Sequence, residues 1–262
     1  MNVLVFDIET IPDIKGGQKI YDIAGLDDNS TAKAMFHMRQ QKTGSHFLPL
    51  HLQKIVAISV VYRGMGEDMG HEVSVSSLGD ESSSEAELLI AFFTEIEKRT
   101  PTLVSWNGSG FDLPVIHYRS LKNSISAPGY WEKGNNNSNF RHDNYLSRHH
   151  ERHTDLKDVL ASYNRSATVP LNDMALLLGF PGKMGMDGSQ VWDEHQAGNL
   201  KGIREYCETD VLNTYLIYLR YQLMRGELGH EELEQEFTLL RDALESRSNE
   251  DYKHLGMFLK AW

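Results

Sequence analysis

Residues 3–10 read VLVFDIET. Four apolar residues run directly into Asp7, and Glu9 follows after a single isoleucine. An unalternating apolar run of this length reads as a strand buried on both faces, over residues 2–7, with the two acids at its carboxyl end. Side chains two positions apart on a strand point the same way, so Asp7 and Glu9 share one side. Like charges that close repel, and each raises the other's pKa unless something positive stands between them. A divalent cation is the commonest remedy, and an all-oxygen donor set favours Mg²⁺ or Mn²⁺. A solvated strand end with both acids facing water uses the same residues, so the pair alone decides nothing.

The surrounding chain sets that strand in a mixed α/β pattern. Residues 13–53 read as irregular apart from a short helix at 30–41. LQKIVAISVVY (52–62) and HEVSVSSL (71–78) predict two further strands, with Gly64, Gly66 and Gly70 marking a long hairpin connection. SSEAELLIAFFTEIEKR (83–99) carries a Ser cap, an acidic first turn and a basic end, and predicts a helix. TLVSW (102–106) reads as a short buried strand and LPVIHYRSL (113–121) as a helix with Pro114 in its first turn. Residues 122–152 are polar and read as a loop or mobile insertion. HTDLKDVLASY (153–163) reads as a strand end passing into a helix, and LNDMALLLGF (171–180) as a helix stopped by Gly179 and Pro181. A long helix over 199–225 has an apolar stripe through Leu200, Ile203, Cys207, Val211 and Tyr215. A helix over 231–247 and a short C-terminal one follow. Hairpin-paired strands followed by strands alternating with helices predict a mixed α/β sheet covered on both faces. Ligands of such sheets sit beyond strand carboxyl ends.

Composition narrows the function. The 262 residues are 40% hydrophobic, enough for a sizeable core. No run reaches the length of a membrane span, and the first residues predict no signal segment. The single cysteine, Cys207, excludes an intrachain disulfide and a cysteine-rich metal site, and fits a reducing cytoplasm. A net charge of −11 speaks against a broadly basic nucleic-acid surface. It leaves room for a groove where bound cations and a local basic rim meet a polyanion.

Two more stretches bear on the acids. In SWNGSGFDLPVI (105–116) a buried strand breaks at Asn107, glycines allow close backbone approach, and Asp112 opens the next helix, where an N-cap is its ordinary use. In EYCETDVLNTY (205–215) Tyr206 and Asp210 are four apart and so share a helix face beside the apolar stripe.

Together FDIET, NGSGFD and YCETD resemble, in order and spacing, the three motifs of the DEDD superfamily of 3′–5′ exonucleases in its tyrosine variant: D-x-E, N-x₃-F-D and Y-x₃-D. The chain is similar to the exonuclease domain of family B DNA polymerases, and more so to stand-alone bacterial relatives of that domain. FLPLHLQKIVAIS (47–59) and LLGFPGKMGMDGSQVW (177–192) carry the likeness further, over most of residues 1–226.

The resemblance implies a ribonuclease-H-like fold, a mixed five-stranded sheet with helices on both faces. Residues 1–226 would be the exonuclease domain, and 227–262 a helical extension packed on it. The implied activity is metal-dependent 3′–5′ hydrolysis of single-stranded nucleic acid, DNA before RNA, to nucleoside 5′-monophosphates. Asp7, Glu9, Asp112 and Asp210 would hold two Mg²⁺ or Mn²⁺ ions, with Asp7 bridging both. Tyr206, a poor base at its ordinary pKa of about 10, would orient the attacking water. Thr10, Asn107 and Phe111 would approach the 3′-terminal nucleotides. RHDNYLSRHHERH (141–153) reads as a solvated basic loop or a phosphate-backbone rim, Asp155 stays outside the catalytic set, and Cys207 reads as inert core. An RNA exonuclease of the same superfamily and a non-catalytic module binding nucleic acid or a polymerase or repair partner are the competing readings.

Overall fold

The computed structural model describes residues 1–65 and 71–262. In chain order its elements are β1 (Val3–Pro12), α1 (Ile14–Tyr21), α2 (Asp28–Thr43), β2 (Gln53–Met65), β3 (His71–Ser77), α3 (Glu85–Arg99), β4 (Thr102–Ser105), α4 (Asp112–Asn123), β5 (His153–Asp155), α5 (Leu156–Leu160), α6 (Leu171–Leu177), α7 (Val191–Gln196), α8 (Leu200–Arg225), α9 (His230–Arg247) and α10 (Lys253–Ala261). The strands form one sheet in the order β3-β2-β1-β4-β5. β1 pairs antiparallel with β2 and parallel with β4; β2–β3 is antiparallel and β4–β5 parallel. This is the mixed five-stranded α/β sheet that the sequence predicts. Gly66 and Gly70, two of the three glycines read as the hairpin connection, lie outside the described residues.

Alternation along β1 sorts the core into two layers. Val3 and Val5 pack with Val61, Val75 and Val104 against α8, α9 and α10, through Leu212, Tyr215, Leu216, Phe237 and Phe258. Leu4, Phe6 and Ile8 face the other way, onto Leu89, Phe92 and Ile96 of α3 and Val115 and Ile116 of α4. Asp7 and Glu9 continue the odd-numbered series and so point to the side of α8.

Three expectations need correction. The first strand runs to Pro12 rather than residue 7. The acids are therefore mid-strand, but β4 stops pairing at Val5–Val104, so they still lie beyond the end of that parallel neighbour. The irregular stretch 13–53 contains α1 as well as α2. Asp13 caps α1 through the Gly16 amide, and Gly17 brings α1 against Met35 of α2, because a Cβ there would collide with the Met35 sulfur. The polar stretch 122–152 is a loop, as read, with one 3-10 turn at Ser138–Arg141, but a packed one rather than a mobile insertion. Tyr130, Phe140 and Tyr145 are buried, and the Tyr145 hydroxyl donates to the Pro101 carbonyl at 2.7 Å.

The N-terminal ends of α3 and β2 are tied to α4 and β1 by a buried ion network. Arg119 donates to both Glu85 oxygens at 2.7 Å and to Asp13 at 2.6 Å. Glu85 also accepts the Ile55 amide at 2.8 Å. Each of the three nitrogens of that planar fork meets an acceptor, as suits a buried guanidinium.

Candidate active site

Three segments far apart in sequence deliver the acids to one place. β1 carries Asp7 and Glu9, the first residue of α4 is Asp112, and α8 carries Tyr206 and Asp210. Asp112 is 2% exposed and Asp210 7%. Asp112 does not cap its helix; its Oδ1 accepts the Ile8 amide at 3.1 Å, on the edge of β1 that β4 has left. Cys207 is pressed against the first acid, with Sγ 3.5 Å from the Asp7 carbonyl and 3.6 Å from its Oδ2. Donor atoms of Asp7, Glu9 and Cys207 all lie within 4.8 Å of one another. Cys207 is thus a floor of the acidic cluster as well as part of the core.

The electrostatics of that cluster is one of mutual frustration. Burial, then repulsion from Asp112, Glu9 and Asp210, pushes the Asp7 pKa well above its ordinary value. Burial, then Asp210 and Asp112, does the same to Glu9. Burial pushes Asp112 up to about 7, against the stabilising amides of its own residue and Ile8. Burial raises Asp210 to about 6, against Lys183 and the Tyr206 hydroxyl. Tyr206 is itself pushed up, first by burial and then by Asp210, Glu9 and Asp7. Oδ1 of Asp210 is buried and has no hydrogen-bond partner among the described residues. A cluster of acceptor-only groups with an orphaned oxygen fits divalent cations, which would relieve the repulsion and satisfy that oxygen together.

One cation offsets the acids, and it was absent from the candidates read in the sequence. Lys183 stands 5.4 Å from the centroid of the Tyr206 ring and draws down the pKa values of Glu9 and Asp210. Its backbone is fixed on both sides. The Lys183 amide donates to Asn172 at 2.9 Å, and Asn213 of α8 brackets Gly182 with bonds of 3.0 and 2.9 Å. Gly182 has φ +67°, where a side chain would also meet Asn172 Oδ1. The sequence signal was a lone lysine after a glycine in a stretch already picked out by resemblance.

Of the three residues expected to approach the 3′ end, Thr10 and Phe111 line a cavity beside Glu9, and Asn107 is not among its lining residues. Thr10 donates to Gln53 Oε1 at 3.0 Å. Thr10, Glu9 and Phe111 edge a cavity of about 520 Å³ that also holds Phe47 and Trp192. The Phe111 and Phe47 rings are 5.6 Å apart. Asn107 sits in the left-handed region, φ +72°, at the start of the turn into α4. The basic loop 141–153 does not rim this site. Its Arg148 and His150 line a cavity with Arg225, fifteen residues beyond Asp210 on α8, roughly 22 Å along a helix axis. Arg152 of that loop is engaged locally, bonded to the Asp143 carbonyl and lying over the Phe140 ring.

A family model described as "predicted 3′–5′ exonuclease related to the exonuclease domain of PolB" matches residues 45–262. Asp112, Tyr206 and Asp210 fall within the match, and Asp7 and Glu9 precede it. No curated protein matches the chain. Among the described residues, no helix is long and apolar enough to cross a membrane.

Proposed function

Since the chain belongs to the family of predicted 3′–5′ exonucleases related to the exonuclease domain of PolB, we propose that it hydrolyses single-stranded nucleic acid, DNA in preference to RNA, from the 3′ end. The products are nucleoside 5′-monophosphates. The observation that carries this reading is the convergence of Asp7, Glu9, Asp112 and Asp210, acids from three segments: burial raises all four pKa values, and Asp112 and Asp210 push Asp7 and Glu9 up further.

These four carboxylates would hold two Mg²⁺ or Mn²⁺ ions, hard cations matched to oxygen donors. When bound, such ions supply Lewis-acid stabilisation of phosphate charge and a water of lowered pKa. The chain's own groups do the rest. Tyr206 stays a neutral phenol, so its hydroxyl orients the attacking water by hydrogen bonding and takes no proton. Lys183 carries a positive charge at the rim of the acids and meets a phosphate oxygen there. Phe111 packs on the terminal base or sugar, and Thr10 and Asn107 offer polar contacts beside it. Residues 227–262 belong to the same unit as 1–226. The bond of 2.7 Å between His254 of α10 and Glu208 of α8 supports that. A cytoplasmic location fits the single buried cysteine, and a polymerase or repair partner fits the family.

The test uses 5′-labelled single-stranded DNA and RNA with Mg²⁺, Mn²⁺ or a chelator. We expect a ladder shortened from the 3′ end, faster on DNA and abolished by the chelator. Asp7→Ala should slow it by on the order of 10²–10³, the scale for one preorganised electrostatic group. No digestion of either polymer in either metal would leave only a binding module; faster digestion of RNA would reverse the substrate order.

A further inference from the structure

Asp155 and Lys157 lie outside every motif, yet both reach the turn that delivers Phe111 and Asp112. Asp155 is 5% exposed and does not cap α5. Its Oδ1 accepts the Asn107 amide at 2.9 Å and its Oδ2 the Ser109 amide at 2.8 Å. A carboxylate can fill both places; an asparagine would set an NH₂ against one of the two N–H groups. The acid therefore fixes the backbone of residues 107–109, including the left-handed Asn107.

Lys157 acts on the side chain of the same residue. Its ammonium donates to Asn107 Oδ1 at 3.2 Å. An ammonium has no acceptor, so the amide must turn its oxygen to Lys157 and its nitrogen away. The other polar atoms of Asn107 are engaged as well. Its N–H goes to Asp155, and its carbonyl accepts the Gly110 and Phe111 amides, both at 2.9 Å. Gly110 leaves room for this arrangement, because a Cβ there would fall 2.8 Å from Asn107 Oδ1. Of the polar groups of Asn107 itself, its NH₂ is the one with no partner among the described residues.

We propose that Asp155 and Lys157 are positioning residues that present Asn107 to the substrate strand as a hydrogen-bond donor. The group it recognises is an acceptor near the 3′ end, a phosphate or sugar oxygen, common to DNA and RNA. This rests on the exonuclease reading for the identity of the strand. It assigns the two residues to substrate binding rather than to cation binding or chemistry. Asp155 locks the turn and Lys157 selects the face of the amide.

Binding of 5′-labelled oligonucleotides, followed by fluorescence anisotropy in chelator, tests this without turnover. Lys157→Met should weaken binding of DNA and RNA alike by about tenfold, the scale of one hydrogen bond. Lys157→Arg should restore it, and the melting temperature should not move, because Lys157 is only half-buried. In an Asn107→Ala background, Lys157→Met should cost nothing further. Asp155→Asn should weaken binding in chelator as Asn107→Ala does, and should cost little further in an Asn107→Ala background. Equal losses from Lys157→Met with and without Asn107 would show that Lys157 meets the strand directly, and would overturn the proposal. So would unchanged binding in Lys157→Met. Wild-type protein that digests its substrates yet gives either result sinks this inference alone; wild-type protein that digests nothing sinks the exonuclease reading.

Discussion

The carboxylate of Asp112 holds the backbone N–H of Ile8, the residue between Asp7 and Glu9, at 3.1 Å. The first residue of α4 thus completes the edge of β1 where β4 no longer pairs, and the second motif is locked in register with the first. A change at Asp112 is felt at the strand as well as at the charge it carries.

That coupling has a pH signature. In metal-free protein the unfolded chain releases the Asp112 proton near 3.8, whereas the folded state keeps it to about 7. Between those values the folded state binds more protons, so stability falls as pH rises through the window and levels off above it. Asp112→Asn keeps an oxygen for the Ile8 amide and removes the titration. Melting temperature in chelator should therefore decline less steeply between pH 4 and 7 in the variant than in the wild type. Parallel curves would contradict the buried, repelled carboxylate.

Lys183 opposes the upward pKa shift of Glu9 and Asp210. Lys183→Ala should lower kcat by about 10²-fold, the scale of one oriented charge at a phosphate. Removing the cation also raises both acids' pKa values, so the acidic limb of the pH–rate profile should move to higher pH. Lys183→Arg should keep the limb in place. An unmoved limb in the alanine variant would detach Lys183 from the acids.

Tyr206 is held neutral by burial and by three carboxylates. Tyr206→Phe should lower the rate by about a hundredfold, as for a misplaced reacting group, with Mn²⁺ affinity by calorimetry retained. Loss of that affinity instead would make the phenol a support for the acids.

The far side of α8 depends on the C-terminal helix. Glu208 accepts from Ser77 Oγ and from its amide, each at 2.8 Å, and pairs with His254 at 2.7 Å. His254→Ala strips one partner from a buried carboxylate and should cost about 1–3 kcal/mol in urea unfolding. A loss below about 0.5 kcal/mol, the ordinary scale of surface substitutions, would mean that α10 does not brace the helix carrying Tyr206 and Asp210.

What was legible followed from local periodicity. Asp7 and Glu9 two apart on a strand, and Tyr206 and Asp210 four apart on a helix, announce a shared face by spacing alone. Asp112 needed the resemblance, because an acid at a helix start is ordinarily a cap. Lys183 and Lys157 were not readable, since each reaches its partner through space, from a turn shaped by Gly182 in one case and across β4 and β5 in the other. The extent of β1 was hidden as well. Its last residue is a proline, and beyond Val5 its pairing rests on β2 alone. The helix α1 was masked by Gly16 and Gly17, poor helix formers, of which Gly17 allows close contact with Met35 of α2 and Gly16 with the capping Asp13.

The acids stand on β1, α4 and α8, whereas Phe47 stands on the segment connecting α2 to β2. On the proposed reading, the reaction and the admission of the strand fall to separate parts of the chain. On that reading, grafting a different 44–49 segment onto the unchanged framework would alter which polymer is admitted while the acids, Tyr206 and Lys183 stay in place. Divergence among natural variants, or deliberate re-engineering of preference, has its most permissive ground in that stretch.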